Sequence, residues 1–161
     1  MKPILALIIA ILFCSSAFAQ NIDEKLWSIA KSQYPNDASM QQYVYDQQKK
    51  GYNYMARVTD AELKLFAENQ YPDDYSMQNY VYDKQKIDKA YMKIVVDMEL
   101  KRFAIKQYSD DYSMQKYVYD QQSIAKDYMQ RATNISAKQK ARKEYPDDYN
   151  MQKYIYDNAV N

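Results

Sequence analysis

A thirteen-residue stretch is written four times in this chain. It reads YPNDASMQQYVYD at 34–46, YPDDYSMQNYVYD at 71–83, YSDDYSMQKYVYD at 108–120 and YPDDYNMQKYIYD at 145–157. Its first residues are Tyr34, Tyr71, Tyr108 and Tyr145, a spacing of 37 with no insertion between copies. A fixed period in this range marks a repeat array, in which each unit buries its apolar face against its neighbours.

The repeat extends beyond this stretch. Asp23, Asp60, Asp97 and Asn134 share one register, followed three residues on by Leu26, Leu63, Leu100 and Ala137. Ile29, Phe66 and Phe103 come next, then Ala30, Ala67, Ala104 and Ala141. Spacings of three, four and seven place these residues on one face of a helix of about ten residues, helix A. An Asp or Asn ahead of such a run can accept the free N–H groups of the first turn.

The YPDDYS segment interrupts that helix. Pro35, Pro72 and Pro146 lack a backbone donor and push the preceding Tyr out of helical geometry. Ser109 replaces Pro in the third copy, so the turn does not rest on proline alone. Either Asp37, Asp74, Asp111 and Asp148 or the later Ser39, Ser76, Ser113 and Asn150 can cap the second helix.

Helix B is expected to start at Met40, Met77, Met114 and Met151. In the second copy the stripe runs through Met77, Tyr80, Val81, Tyr91, Met92 and Val95; in the third, through Met114, Tyr117, Val118, Tyr128, Met129 and Ala132. Gln48, Gln85 and Gln122 fall on this stripe and should be partly buried and hydrogen-bonded. Tyr45, Tyr82, Tyr119 and Tyr156 point off it, which gives helix B a second contact face. The wheel angle shifts near Asp97, so the expectation is a break there rather than a continuous run from Met77 to Gln107.

The predicted fold is all-α, with about four tandem 37-residue helix-turn-helix repeats stacked as a short α-solenoid. The units are about 23–59, 60–96, 97–133 and 134–161, in one domain over 20–161. The alternative is a set of long antiparallel helices broken only at the YPDD turns.

The first nineteen residues read differently. Lys2 supplies a short positive region, residues 4–13 are apolar, and Ala17-Phe18-Ala19 is a small-x-small site. This pattern predicts a secretory signal peptide cleaved after Ala19. A membrane span needs about 20 apolar residues, more than this run holds. No stable span is therefore expected after cleavage.

Cleavage removes Lys2 and the single cysteine, Cys14. The 22 Lys and Arg, less Lys2, then balance 21 Asp and Glu, and the chain contains no His. Thiolate, imidazole and disulfide chemistry are excluded from the mature chain. Export without disulfides fits a periplasmic or secreted bacterial location. Neutrality with interspersed signs argues against nucleic acid as a partner.

The helix pairs of 37 residues, each turning at Tyr-Pro-Asp-Asp, resemble tetratricopeptide-like helical hairpins over residues 21–161. The string YPDDYSMQ also resembles a helical module of uncharacterised bacterial proteins. These likenesses imply a bacterial helical-repeat protein and carry no activity.

The candidate partner-binding residues lie at the turns: Tyr75, Tyr112, Tyr149, Asp74, Asp111 and Asp148. Tyr joins a flat apolar face to a hydroxyl, which suits a protein or a sugar. The competing reading is that these rings pack the junctions between helix pairs. The paired acids Asp73-Asp74, Asp110-Asp111 and Asp147-Asp148 read as helix caps; the loops lack the Gly and distant Glu of an EF-hand. Four near-identical copies give each carboxylate a similar environment, whereas acid–base catalysis needs two different ones. Lys138, Lys140, Arg142 and Lys143 form a small basic patch, read as a solvated face.

The expected function is a non-enzymatic exported scaffold that offers a concave or edge surface to a protein or peptide, with no catalytic residues, cofactor or metal. The alternative is a binder of envelope carbohydrate through the repeated Tyr and Asp of the turns.

Overall fold

A computed structural model describes residues 21–160 of the chain. The expected signal peptide, 1–19, lies outside the described residues. Those residues form an all-α protein with no strand among them. Helix α1 covers 21–33, followed by α2 (Ala38–Met55), α3 (Ala61–Gln70), α4 (Tyr75–Ile94), α5 (Met98–Gln107), α6 (Tyr112–Arg131), α7 (Ile135–Glu144) and α8 (Tyr149–Val160). From α3 onward, ten-residue helices alternate with longer ones. The helices divide into two compact units, one reaching to Tyr82 and one starting at Asp83.

The breaks come from side chains that compete for backbone groups. Asp60, Asp97 and Asn134 sit in extended geometry and accept the N–H groups of Leu63, Leu100 and Ala137. Each satisfies a donor that the first helical turn leaves open. Residues 56–60, 95–97 and 132–134 are therefore non-helical. This settles the alternative of long helices broken only at the YPDD turns: the chain also breaks between B and A. Asp23 is the exception. Helix α1 already includes residues 21 and 22, and the Asp23 carboxylate instead accepts the Tyr45 hydroxyl at 2.8 Å.

At the YPDD turns the aspartates are the caps. Asp37, Asp74, Asp111 and Asp148 accept from Met40, Met77, Met114 and Met151 N–H at 3.0–3.1 Å. Helix B therefore starts at Ala38, Tyr75, Tyr112 and Tyr149, two residues earlier than expected. The later serines lie inside the helix, and Ser113 donates its hydroxyl to Asp88 at 2.7 Å. Ser109 turns the third segment into a bend at 109–110, but the preceding helix still ends in the same backbone bond. Tyr108 N–H reaches Ala104 O at 3.0 Å, as Tyr71 reaches Ala67 and Tyr145 reaches Ala141.

In the unit ending at Tyr82, Leu26, Ala30, Val44 and Tyr45 form the core, with Trp27 stacked on Tyr45 at 4.4 Å between ring centroids. In the unit starting at Asp83, one cluster holds Met92, Leu100, Ala104, Val118 and Tyr119, and a second holds Met129, Ala137, Ala141 and Tyr156. Tyr149 packs against both. Helix α5 lies on α6, α6 on α8, and α7 on α8. Leu26, Leu63 and Leu100 are at most 1 % exposed, and each such side chain contributes about 1.5–3 kcal/mol of burial.

The buried face of helix B differs from the expected stripe. Tyr82 and Tyr119 are buried, whereas Tyr80 and Tyr117 are 60 % and 58 % exposed. The inward registers are Gln78, Val81, Tyr82, Gln85 and Met92 in α4, with Gln115, Val118, Tyr119, Gln122 and Met129 in α6. Tyr80 stands two residues from Gln78, about 200° around the helix. The face is written partly in glutamine, so apolar character alone selected the wrong tyrosine. Met40, Met77, Met114 and Met151 are half-buried rather than central to the core.

Candidate functional site

The six turn residues named from the sequence lie at the junction between one repeat and the next. Each junction is held by one glutamine. Gln48 Nε2 donates to Asp74 Oδ1 at 2.8 Å, and its Oε1 accepts Tyr75 N–H at 2.8 Å. Gln85 does the same with Asp111 and Tyr112, both at 2.7 Å. Gln122 repeats it with Asp148 at 2.8 Å and Tyr149 at 2.7 Å. The three glutamines are 2–3 % exposed. Their amides fit because each Asp, already a helix cap, has a lone pair to spare.

A second glutamine series closes each turn on itself. Gln41, Gln78, Gln115 and Gln152 donate to the carbonyls of Tyr34, Tyr71, Tyr108 and Tyr145 at 2.6–2.7 Å. These carbonyls belong to the group that a helix end leaves without intrahelical partners. Every turn thus has one glutamine from its own helix B, and the last three have another from the preceding helix B.

The turn tyrosines are half-buried at these junctions. Tyr75 packs on the Leu26 cluster and meets Tyr52 edge-on, with 5.3 Å between ring centroids. Lysine ammonium groups lie over the rings of Tyr75, Tyr112 and Tyr149 at 5.1–5.5 Å. Burial and then the Glu99 carboxylate push the Tyr149 hydroxyl above its ordinary pKa. The paired acids part company: Asp74, Asp111 and Asp148 cap helices, while exposed Asp73 pairs with Lys25 at 3.0 Å.

A further tyrosine–carboxylate link joins adjacent B helices in the unit that starts at Asp83. Tyr91 donates to Asp120 at 2.6 Å and Tyr128 to Asp157 at 2.5 Å. Lys116 and Lys153 each grip the same carboxylate at 2.6 Å and lie over the donor's ring at 4.6 Å. The Asp120 carboxylate pushes the Tyr91 hydroxyl up to about 12. Tyr82, Tyr119 and Tyr156 use their oxygens differently. They accept the backbone N–H of Asp60, Asp97 and Asn134 at 3.2–3.4 Å, anchoring the cap of helix A to its own helix B.

One recurrent residue has no such role. Tyr43, Tyr80, Tyr117 and Tyr154 occupy the same register and are 58–60 % exposed. Among the described residues, none of their hydroxyls or rings has a hydrogen-bond or ring partner. Their neighbours vary: the preceding register reads Gln42, Asn79, Lys116 and Lys153. Sequence reasoning missed these four as surface residues. The signal that could have found them is their position opposite the glutamines on the helical wheel.

Between helix A of one repeat and the turn of the next repeat, each unit has an open groove. In the first it is about 530 Å³ and is lined by Ser28, Ile29, Ser32 and the turn from Tyr71 to Asp74. In the second it is about 460 Å³ and is lined by Glu99, Arg102, Phe103, Lys106, Gln107 and Asp147, two carboxylates beside two cations. Ser28 and Ser32 stand 74 residues, two periods, before Arg102 and Lys106, so these are equivalent grooves with different walls. No protein-family model, no curated protein and no solved structure matches this chain.

Proposed function

We propose that this chain is an exported, non-catalytic helical-repeat scaffold of the bacterial envelope that binds a protein or peptide partner. The observation that carries this reading is the exposed series Tyr43, Tyr80, Tyr117 and Tyr154. The turn tyrosines, the turn aspartates and both glutamine series have hydrogen-bond or packing roles inside the fold. The exposed tyrosines recur without one, and large aromatic faces on a rigid helix are favourable anchors for a partner. Export rests on the leader-like residues 1–19.

The carboxylates support a non-catalytic role. Lys153 and Tyr128 hold Asp157 below its ordinary pKa, and the partners of Asp23 and Asp97 do the same for those carboxyls. A general acid at neutral pH needs the opposite shift.

A second reading is binding of an envelope glycan. Tyr rings offered at one register along the repeat suit stacking on a polymer that itself repeats. One experiment tests both. The chain from residue 20 is immobilised and exposed to envelope extract, beside sedimentation with insoluble peptidoglycan. Tyr117→Ser and Tyr154→Ser together should abolish capture while leaving the melting temperature unchanged. Retention of one protein at near-equal amounts supports the scaffold. Sedimentation with the cell wall alone supports the glycan. Capture unaffected by the substitutions overturns the role of the exposed tyrosines.

A further inference from the structure

We infer that the outward face of α4 from Lys84 to Ile94 docks an amphipathic helix of the protein partner, one with an apolar seam and acidic flanks; the inference rests on the scaffold reading above. Ile87 and Ile94 are 69 % and 76 % exposed. They lie seven residues apart on one helix, so they share a single line, in the register that Tyr80 opens. Exposed Ala90 stands between them, three residues after Ile87 and four before Ile94. That is the spacing of a helix–helix seam, with isoleucine at one position and a small residue at the other.

The repeat shows that this face is particular to α4. In α6 the positions of Ile87, Ala90 and Ile94 hold Ile124, Asp127 and Arg131. In α2 and just beyond its end they hold Lys50, Asn53 and Arg57. The three helices share the exposed tyrosine, but only α4 continues it as an apolar line.

Charge complementarity names the occupant. Lys86 and Lys93, also seven residues apart, are exposed along one side of the line. Among the described residues neither has an acidic partner. Lys84 lies on the other side and pairs with Asp88 at 2.8 Å. The acids of the stretch are engaged. Asp88 is 6 % exposed and also accepts the Ser113 hydroxyl at 2.7 Å, and half-buried Asp83, on the outward side, has a partner of its own. In α6, Ser123 and Gln130 stand where Lys86 and Lys93 do. Unpaired cations beside an apolar line suit a helix whose own seam is flanked by glutamates, as charges beside a coiled-coil seam select the partner.

Other occupants fit less well. A second copy of α4 would bring lysines and Tyr91 to these flanks and no free carboxylate. A bilayer takes up a broad apolar face, whereas this line is narrow and notched at Ala90, and a notch between two isoleucines receives a side chain.

The test uses the chain from residue 20 and a fluorescein-labelled helical peptide of about three heptads, with leucine along its seam and glutamate at both flanks. Two counterparts carry glutamine or lysine at the flanks. Anisotropy should show the glutamate peptide binding best, more weakly as salt is raised, and the lysine peptide not binding. Lys86→Glu with Lys93→Glu should weaken the glutamate peptide more than about tenfold and admit the lysine peptide. Ile87→Ser with Ile94→Ser should abolish binding of both and leave the melting temperature unchanged. Ile124→Ser on α6 should change nothing. No binding by the parent, or equal binding of the glutamate peptide by the Lys86/Lys93 variant, overturns the site. So does a dimer of the parent in sedimentation equilibrium that the Ile87/Ile94 variant lacks, or binding to phosphatidylglycerol vesicles that the same variant lacks and that displaces the peptide. If the Lys86/Lys93 variant still captures its envelope partner while the Tyr117 and Tyr154 variant does not, the α4 face is wrong and the scaffold reading stands.

Discussion

Gln85 and Asp111, 26 residues apart, share a 2.7 Å hydrogen bond that ties the end of one repeat to the start of the next. The same amide accepts Tyr112 N–H through its other atom. One side chain therefore fixes both the cap and the first N–H of the following helix. An apolar side chain could fill the space but could not do either.

Replacing Gln85 by Leu keeps comparable bulk and strands the Tyr112 N–H. An unpaired buried donor costs about 1–3 kcal/mol, and urea unfolding of Gln85→Leu should show a loss of that size. Gln85→Glu is the sharper variant. It keeps an acceptor for Tyr112 but sets a second carboxylate against Asp111. Its protonated form can still donate, so it should be less destabilised near pH 4 than near pH 7. A pH-independent loss would mean that the Gln85–Asp111 bond is not made.

Gly51 is the only glycine in the chain, and it lies in α2. In an ordinary helix Gly→Ala gains about 1 kcal/mol. Here a Cβ would overlap the Tyr75 carbonyl, which is backbone and cannot swing aside. Overpacking costs about 1–3 kcal/mol, so Gly51→Ala should lower stability by up to about 2 kcal/mol. Ala125 occupies the same register two periods on, and Ala125→Gly should lose about 1 kcal/mol from propensity alone. Thermal melts of the two variants check both signs.

The acid limb of stability has named sources. Burial alone would raise the Asp97 pKa, but the Lys126 ammonium and the N–H groups of Leu100 and Glu99 outweigh it and hold it below 3.8. Lys153 and the Tyr128 hydroxyl hold Asp157 below the same value. Both carboxyls bind protons less readily when folded. Their stabilisation is complete above the ordinary value and is lost as pH falls through the depressed ones. Urea midpoints should therefore drop on acidification below about pH 4. Lys126→Met should shallow that drop, and an unchanged slope would remove Asp97 from the explanation.

Two tyrosines in α6 should answer oppositely to truncation. Tyr119 is 8 % exposed and bonded to the Asp97 N–H, so Tyr119→Ala should cost about 3–5 kcal/mol. Tyr117 is 58 % exposed, and Tyr117→Ser should stay within about 0.5 kcal/mol. Chemical denaturation of the two variants measures that contrast; equal losses would mean that Tyr117 also packs inside the fold.

The helix-turn-helix pattern was legible from spacing because Leu26, Leu63 and Leu100 keep strict register and Asp60, Asp97 and Asn134 are caps with a simple mechanism. The break at Asp97 was legible from the wheel angle. The face of helix B was legible only in part. Val81, Gln85, Met92 and Gln122 fall on the expected stripe and are buried. Buried Gln78 and Gln115, which hydropathy counts as outward, do not fall on it, whereas exposed Tyr80 and Tyr117 do. The burial of these glutamines is acceptable only because the turn carbonyls and aspartates meet them, and those partners lie about one turn segment or one repeat away. The bridging role of Gln48, Gln85 and Gln122 could be guessed as partial burial, but not its target. The contrast between the serine-lined and arginine-lined grooves needed the position of the next turn.

The joint is a two-part fitting, with a glutamine on the leaving helix and a tyrosine ring on the arriving one. The first turn carries Ala38 where the others carry Tyr75, Tyr112 and Tyr149, and α8 carries Ala159 where earlier B helices carry Gln48, Gln85 and Gln122. Ala38 has no ring and Ala159 has no amide, so neither position supplies its half of the fitting. Interior units, by contrast, carry both halves, so a unit of 37 residues could be gained or lost from the middle without inventing a new joint.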